Sequence, residues 1–319
     1  MITKKVLIFG ASGQVGRYCI RRLVKNNYKV TAVTRNAHKS GYKLKTQAPI
    51  GYLDIIQASI FDDNKITELI SKADICLNLV GILFETKNSR FEDVHSKFPQ
   101  RLSQICKQKK VKFLHLSALG LNKAQDSKYA SSKILGEKNI REILPEATII
   151  KPSLVYSVDD SFTTKFMSIL SIIPFFPLYY DGKTKFTPIH ASELAELIFF
   201  IISNEIYSKD IEAIGPEVIN FKEIINILSR CINKKRVLIP VPIIFAKLSS
   251  FFIEKLPNPI ITSDQLRLLK YDNIKSSNGI SNFDIGFPSK LYFQKMVMKY
   301  AFNWRDGGQF SNVDKDTPK

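Results

Sequence analysis

Residues 5–16 have the sequence Lys-Val-Leu-Ile-Phe-Gly-Ala-Ser-Gly-Gln-Val-Gly, and this stretch decides the fold. Its apolar run is typical of a buried strand, and a helical pattern continues from Arg17 to Lys25. A strand that enters a glycine-rich turn and then a helix binds phosphate, because the helix N-terminus offers backbone N–H groups and partial positive charge. The sequence therefore predicts a dinucleotide site; the alternative is an ordinary turn between a strand and a helix.

The three glycines of this stretch have different predicted roles. Gly10 permits the tight turn, Gly13 lets the backbone approach a pyrophosphate, and Gly16 allows the helix to pack closely on the strand. The residues predicted to contact the cofactor in this turn are Gly10, Ser12, Gly13, Gln14, Val15 and Gly16.

The end of the second predicted strand, residues 28–34, indicates which dinucleotide is preferred. A fold that selects NAD usually has an acidic residue there to accept the ribose 2′-hydroxyl. This chain has Arg35 instead, with Lys39 close by. Because a guanidinium forms paired, charged hydrogen bonds with a phosphate, we expect NADP(H) to be favoured over NAD(H). Alternatively, Arg35 stacks on the adenine or lies in solvent.

The ends of later strands supply the remaining cofactor candidates. Asp62 follows the third predicted strand, residues 51–60, where it caps a helix or meets the adenine amino group. Val80 and Gly81 end the fourth strand, and such small residues would let a ribose and pyrophosphate lie across the sheet edge. Pro152 completes the predicted cofactor contacts.

Three residues carry the predicted chemistry. Ser117 ends the fifth strand, and Tyr129 and Lys133 follow on one face of a predicted helix, four residues apart. A free phenol has a pKa of about 10, and an ammonium group one turn away lowers it. We therefore predict that Tyr129 acts as acid and base, that Lys133 holds the ribose, and that Ser117 orients a substrate carbonyl or alcohol.

The other polar candidates predict no metal site. Neither the four histidines nor the four cysteines have the spacing of metal ligands. His115 is expected to be packed within a strand, and His95 is assigned no special role on a helix predicted over residues 90–108. The cysteines are expected to be reduced core residues.

The net charge of +18 has two main interpretations, and nucleic-acid binding is the least favoured third. One is a compositional bias toward lysine, and the other is attraction to an acidic partner or an anionic membrane surface. Binding of nucleic acid is not expected, because the sequence lacks a basic block, a zinc pattern and a recognition helix. The apolar stretches at 166–180 and 239–252 are too short to span a membrane. We expect a cytoplasmic protein, or a peripheral one on a membrane surface.

Several motifs occur in an order that resembles the short-chain dehydrogenase/reductase superfamily, in its extended or atypical branch, which includes epimerases. The resemblance covers residues 1 to about 300 and is strongest to the group of NADPH-binding accessory subunits of respiratory complex I and their bacterial relatives. It implies a tightly held NADPH with a structural or regulatory role, and another branch of these relatives is associated with ubiquinone biosynthesis. The motifs are Asn78–Leu83, Phe91–His95, Phe113–Ser117, Tyr129–Glu137, Glu142–Ser153 and Gly215–Val218.

The predicted fold is a Rossmann-type, doubly wound parallel α/β sheet with a small, mostly helical C-terminal lobe. Residues 1–160 form the dinucleotide domain, to which residues 181–206 return. Residues 207–302 form the smaller lobe together with 161–180, and residues 303–319 form a loose tail. An amphipathic element at 243–248 either packs in the core or docks on a membrane or membrane protein.

Three functions remain open from the sequence. The first is an accessory or assembly protein of a respiratory complex that binds NADP(H) and respiratory-complex subunits. The second is an active NADP(H)-dependent oxidoreductase on a quinone-related or sugar-like substrate. The third, which the sequence favours least, is a binder of nucleic acid or a membrane surface through the +18 charge.

Overall fold

The computed structural model describes residues 4–241 and 262–310, and it divides the chain into two units. Unit 1 comprises Met1–Pro152, Ala191–Ile214 and Lys275–Pro288, whereas unit 2 comprises Ser153–His190, Gly215–Ile274 and Ser289–Lys319.

Unit 1 is built on an eight-stranded sheet in which all neighbouring strands are parallel. In chain order its strands are β1 (Lys5–Phe9), β2 (Lys29–Thr34), β3 (Leu53–Gln57), β4 (Ile75–Asn78), β5 (Lys112–Leu116), β6 (Thr148–Pro152), β11 (Asp210–Ala213) and β14 (Ile280–Ser281). The spatial order is β14-β11-β6-β5-β4-β1-β2-β3. The direction of winding reverses between β1 and β4, and ligands bind beyond the carboxyl ends of the strands at such a point.

Helices cover this sheet and explain why its central strands are mostly apolar. All four residues of β4 are buried, as are the last four of β1, because helices on both faces exclude water from the sheet. The helices of unit 1 are α1 (Gln14–Lys25), α2 (Ala37–Lys45), α3 (Asp63–Ile70), a π-helix (Glu92–Lys97), α4 (Phe98–Lys109), α5 (Lys128–Ile143) and α7 (Ala191–Ser203).

Unit 2 has its own apolar core, in which Tyr156, Met167, Phe221 and Phe293 are fully buried. Its helices are α6 (Thr163–Ile172), α8 (Phe221–Cys231), α9 (Ser263–Leu268) and α10 (Phe293–Met298). Its strands form three short pairs, namely β7 (Val155–Tyr156) with β10 (Ile189–His190), β8 (Phe175–Leu178) with β13 (Val237–Pro240), and β9 (Lys185–Phe186) with β12 (Ile219–Asn220).

The predicted parallel α/β architecture is confirmed, and the structure differs from the sequence analysis in several segments. Residues 153–160 and 181–190, predicted for the dinucleotide domain, belong to unit 2. The helix predicted over 90–108 is divided into the π-helix and α4. The strands β11 and β14 lie in the large sheet, although the sequence analysis assigned residues 207–302 to the smaller lobe. With four and two residues, β11 and β14 are too short to show the alternation of polar and apolar side chains from which a strand is predicted, and each is recognised only by its pairing, β11 with β6 and β14 with β11.

The remaining predictions concern particular segments and residues. All four cysteines are buried and free, as expected for reduced core residues. The amphipathic element at 243–248 lies outside the described residues, and so do residues 311–319 of the predicted tail. Residues 301–304 and 308–310 form short 3₁₀ turns. No helix in the described part of the chain is both long and apolar enough to cross a bilayer.

Candidate active site

The glycine-rich turn between β1 and α1 makes two close backbone contacts. Gly10 has a φ of +78°, and a Cβ atom there would lie 2.8 Å from the carbonyl carbon of Leu79, just beyond β4. A Cβ at Gly16 would lie 2.5 Å from the carbonyl oxygen of Ala11. Neither position has room for a side chain, so the structure requires glycine at the turn and at the first turn of α1.

The N-terminus of α1 suits an anionic group. Gly13 is exposed and occupies the N-cap position, so no side chain covers the helix end. Its N–H donates to the Gly10 carbonyl at 3.0 Å, which closes the turn. The first turn of α1 carries no acidic residue that would repel a phosphate. The geometry therefore fits an anionic group such as a pyrophosphate, and the residues predicted to contact it form this turn, namely Gly10, Ser12, Gly13, Gln14, Val15 and Gly16.

The end of β2 lies beside the same turn. The Thr34 hydroxyl donates to Ser12 Oγ at 3.3 Å, and Arg35 follows as an exposed residue. Asn36 then caps α2 by accepting a hydrogen bond from the Lys39 N–H at 2.8 Å. The chain thus presents a guanidinium directly after the residue that contacts the turn, where a dinucleotide ribose is recognised in this fold.

The other cofactor candidates occupy strand ends. Asp62 caps α3 by accepting from the Lys65 N–H at 3.0 Å, which confirms the capping interpretation. The Val80 N–H donates to Asn78 Oδ1 at 3.1 Å, and Gly81 is exposed immediately after it. Pro152 ends β6, and its carbonyl accepts from the Leu119 N–H at 2.9 Å.

Tyr129 and Lys133 lie together on α5, which Ser127 caps through the Ala130 N–H. The Lys133 Nζ is 5.6 Å from the centroid of the Tyr129 ring and 3.4 Å from the Leu116 carbonyl oxygen at the end of β5. Burial lowers the pKa of Lys133 to about 8, and the carboxylate of Glu137 opposes that shift. A buried ammonium beside a phenol is the arrangement that stabilises a phenolate.

Ser117 is placed differently from its predicted role. Its hydroxyl is buried and donates a hydrogen bond to Glu137 Oε1, while its N–H donates to the Ile150 carbonyl at 2.8 Å. The hydroxyl hydrogen that a substrate carbonyl would need is thus already used by a carboxylate. In the structure this serine belongs to an ionic network, and its contact with a substrate stays a prediction.

That network was missed by the sequence analysis. Glu137 Oε2 lies 2.8 Å from Lys151 Nζ, and Lys151 also lies 2.8 Å from Asp210 Oδ2. Arg141 binds the other oxygen of Asp210 and donates to the Ala147 carbonyl at 2.6 Å. The available sequence signal was the position of Glu137 one helical turn beyond Lys133; its partners on β6 and β11 are distant in sequence.

His95 was also missed, because a lone histidine on a helix carries no distinctive signal. It lies in the π-helix, where its Nε2 accepts from the Ile82 N–H at 3.1 Å. The neutral ring must then carry its hydrogen on Nδ1 and donate it to Ser132 Oγ at 3.0 Å. The Ser132 hydroxyl in turn donates to the Tyr129 carbonyl at 2.8 Å. His95 therefore connects the loop after β4 with the helix that carries the tyrosine.

His115 is packed, as predicted. Its Nδ1 lies 3.1 Å from Asn78 Nδ2, and burial lowers its pKa to about 3. Among residues 4–241 and 262–310, no cluster of three or more histidine, cysteine or acidic side chains could hold a metal ion.

The residues that form this site lie within a match to a known protein family. The model of the NAD dependent epimerase/dehydratase family matches residues 6–215, which span the turn, Tyr129 and Lys133. The chain belongs to this family. Its members form an NAD(P)-dependent oxidoreductase superfamily, and the parallel sheet with a glycine-rich first turn is the structural basis of that dinucleotide binding.

Curated relatives and solved structures extend the comparison to nearly the whole chain. NADH dehydrogenase [ubiquinone] 1 alpha subcomplex subunit 9, mitochondrial, of Arabidopsis thaliana is 27% identical over 315 residues, which cover 94% of this chain and 78% of the relative. The NADH-ubiquinone oxidoreductase 40 kDa subunit of Neurospora crassa is 26% identical over 283 residues, covering 88% of this chain and 74% of the relative. The X-ray structure of Pal from Bacillus thuringiensis shares the fold with a TM-score of 0.71 at 16% identity, covering 94% of this chain and 98% of that chain.

Proposed function

We propose that this protein is an NADP(H)-binding accessory or assembly component of respiratory complex I. The observation that carries the proposal is the similarity to two mitochondrial complex I subunits along 94% and 88% of this chain. Similarity of that extent includes both the site and the rest of the chain, so it supports a shared role and not only a shared cofactor. The protein would be peripheral on the inner face of the respiratory membrane, in contact with complex I subunits.

The cofactor site supports the binding part of the proposal. The α1 N-terminus, with Gly10, Gly13 and Gly16, would hold the pyrophosphate, and the Val80–Gly81 segment would lie beside it. Arg35 would pair with a 2′-phosphate, which is why we assign NADP(H) rather than NAD(H). Lys133 would donate to the ribose hydroxyls, and Asp62 and Pro152 would border the site from α3 and β6.

The cofactor would have a structural role, because the glycine-rich turn that binds it contacts several elements of the sheet. The turn contacts β1, α1 and the segment after β4, and each of these contributes to the switch point of the sheet. A ligand that binds only the folded state stabilises it by an amount that grows with the ratio of its concentration to its dissociation constant. A tightly bound cofactor would therefore keep this edge of unit 1 ordered for a partner subunit.

The deciding experiment is purification of the tagged full chain from respiratory membranes in a mild non-ionic detergent. We expect complex I subunits to co-purify with the protein and with bound NADPH, and the tag expressed alone serves as the control. Recovery of the protein without any complex I subunit would overturn the accessory role, whatever cofactor it carried.

A second function, an active NADP(H)-dependent oxidoreductase, is favoured by the position of Tyr129 and Lys133. The bound nicotinamide would supply or accept the hydride. Tyr129 would exchange the proton with substrate oxygen, and the buried Lys133 ammonium, 5.6 Å from the ring centroid, would favour the phenolate. Quinone-related and sugar-like substrates both suit this chemistry.

A further inference from the structure

The side chain of Glu137 is fixed from two directions within unit 1. Its Oε1 accepts a hydrogen bond from the Ser117 hydroxyl at the end of β5, and its Oε2 lies 2.8 Å from Lys151 Nζ on β6. Lys151 is fixed in turn by Asp210 at 2.8 Å. Because each oxygen of Glu137 has a partner on a strand of the sheet, the carboxylate has a single arrangement.

Lys133 lies one helical turn before Glu137 on α5, and both side chains are directed toward the end of β5. The Lys133 Nζ is 3.4 Å from the carbonyl oxygen of Leu116, the residue that precedes Ser117. The lysine is buried, so its ammonium form depends on a nearby negative charge. The titratable groups that face it are His95 from the π-helix, His115 from β5, and Tyr129 and Glu137 from its own helix.

Of these groups, Glu137 is the carboxylate, and its charge favours the ammonium form of Lys133. Burial lowers the pKa of His95 to about 2 and that of His115 to about 3, so both rings are neutral at physiological pH. The carboxylate of Glu137 is shared with Lys151, which limits how strongly it acts on Lys133. Lys151 remains protonated, because Glu137 and Asp210 together outweigh the effect of burial on its pKa.

We propose that Glu137 is a positioning residue for Lys133, and that its carboxylate, fixed by Ser117 and Lys151, keeps the buried ammonium charged for the cofactor ribose. The Ser117 hydroxyl then serves this carboxylate rather than a substrate oxygen. This inference rests on the proposed function, because Lys133 is the residue that would hold the ribose there. Glu137 would therefore influence the charge of Lys133 although it is not part of the Tyr129 and Lys133 pair.

The charge on Lys133 can be followed directly by ¹³C NMR titration of its Cε signal, assigned with Lys133→Arg, in protein without added nucleotide. We expect Glu137→Gln to move the Lys133 titration about one pH unit toward acid, because an opposite charge is lost. Lys151→Met should move it toward alkali, because Glu137 then has no competing cation. Glu142→Gln, which removes an exposed carboxylate from the same helix, should not move it.

The two opposite shifts separate a charge effect from loosening of the structure. A Lys133 titration that is unchanged or moved toward alkali in Glu137→Gln overturns the inference, and so does a shift toward acid in Lys151→Met. Glu137→Gln keeps the size of the side chain, so it decides the question even if Lys151→Met does not fold. Calorimetric titration of the wild type with NADPH is run in parallel; absence of binding would defeat the proposed function and leave the NMR result intact.

Discussion

The imidazole of His95 lies edge to face against the ring of Tyr129, with 5.2 Å between the ring centroids. Phe91 closes the other side, 5.3 Å from His95 and 5.9 Å from Tyr129. The same imidazole accepts from the Ile82 N–H and donates to Ser132. Through one side chain, the loop after β4 therefore determines where the tyrosine lies. A π-helix, which often marks a functional position, places His95 at this point.

Replacing His95 should destabilise unit 1 by removing both hydrogen bonds and leaving the half-buried Ile82 N–H without its acceptor. We expect His95→Ala to lower the free energy of unfolding by about 2–4 kcal/mol, measured by urea denaturation. His38→Ala, which changes an exposed histidine of α2, is the control and should have little effect. A loss in His95→Ala no larger than that of the control would show that the imidazole has no role in holding α5.

The stability of the protein should fall in mild acid because His95 and His115 are buried in the neutral form. Burial lowers the pKa of His95 and His115 to about 2 and about 3, far below the value of about 6.5 in the unfolded chain. Their contribution is complete above pH 6.5 and is lost as the pH falls toward the folded values. Each histidine should cost about 1.4 kcal/mol of unfolding free energy per pH unit below 6.

Denaturation curves between pH 4.5 and 7.5 would measure that slope. In His115→Gln, the Gln side chain can still accept a hydrogen bond from Asn78, but it does not titrate. The slope of the unfolding free energy against pH should therefore fall by about 1.4 kcal/mol per pH unit, which corresponds to one proton. An equal slope in the variant and the wild type would contradict the assignment of His115 as a neutral buried ring.

Two glycines in helices of unit 1 provide a matched test of the turn. A Cβ at Gly16 would lie 2.5 Å from a backbone oxygen, whereas a Cβ at Gly41 in α2 would meet nothing within 4 Å. Gly16→Ala should therefore lower stability by about 1–3 kcal/mol and weaken NADPH binding, because backbone must move. Gly41→Ala should raise stability by about 0.5–1 kcal/mol, because alanine favours the helix.

Thermal unfolding with saturating nucleotide would check this pair. The expected result is a lower midpoint and a smaller NADPH-induced increase for Gly16→Ala, and a full NADPH-induced increase for Gly41→Ala. If both variants responded to NADPH as the wild type does, the turn could not be the pyrophosphate site.

The preference for NADP(H) should depend on Arg35. We expect Arg35→Gln to weaken NADPH binding by about tenfold or more, since a charged hydrogen-bonding pair contributes about 1.5–3 kcal/mol. NADH binding should change little, because NADH lacks the 2′-phosphate. Isothermal titration with both nucleotides measures this ratio, with Lys43→Gln on the exposed part of α2 as the control. Equal affinity of the wild type for NADPH and NADH would remove the argument from Arg35.

Any turnover should depend on the phenol of Tyr129. Tyr129→Phe keeps the ring that contacts His95 and Phe91, so we expect unchanged NADPH affinity and loss of at least about a hundredfold in kcat for any substrate found. Ser117→Ala should lose less kcat than Tyr129→Phe, because its hydroxyl is bonded to Glu137 and acts on Lys133 only through that carboxylate. An equal loss of kcat in Ser117→Ala and Tyr129→Phe would instead support the predicted contact between the Ser117 hydroxyl and the substrate.

The sequence predicted those parts of the site that depend on short spacings along the chain. Glycines three residues apart after an apolar strand, and a tyrosine four residues before a lysine, are read directly because a turn and a helix fix such neighbours. The role of Ser117 could not be read in the same way. Its position at a strand end was visible, but the carboxylate that binds its hydroxyl comes from a helix twenty residues later.

By itself, the sequence determined the parallel α/β sheet, the glycine-rich turn and the shared helix face of Tyr129 and Lys133, because these depend on periodicity and on backbone sterics over a few residues. Only the tertiary structure decided that β11 and β14 extend the sheet, that His95 holds α5, and that Ser117 is connected through Glu137 to Lys151 and Asp210. Each of these joins residues far apart in sequence. Their energies arise from burial and from the strength of charges away from water, and neither exists until the sheet has assembled.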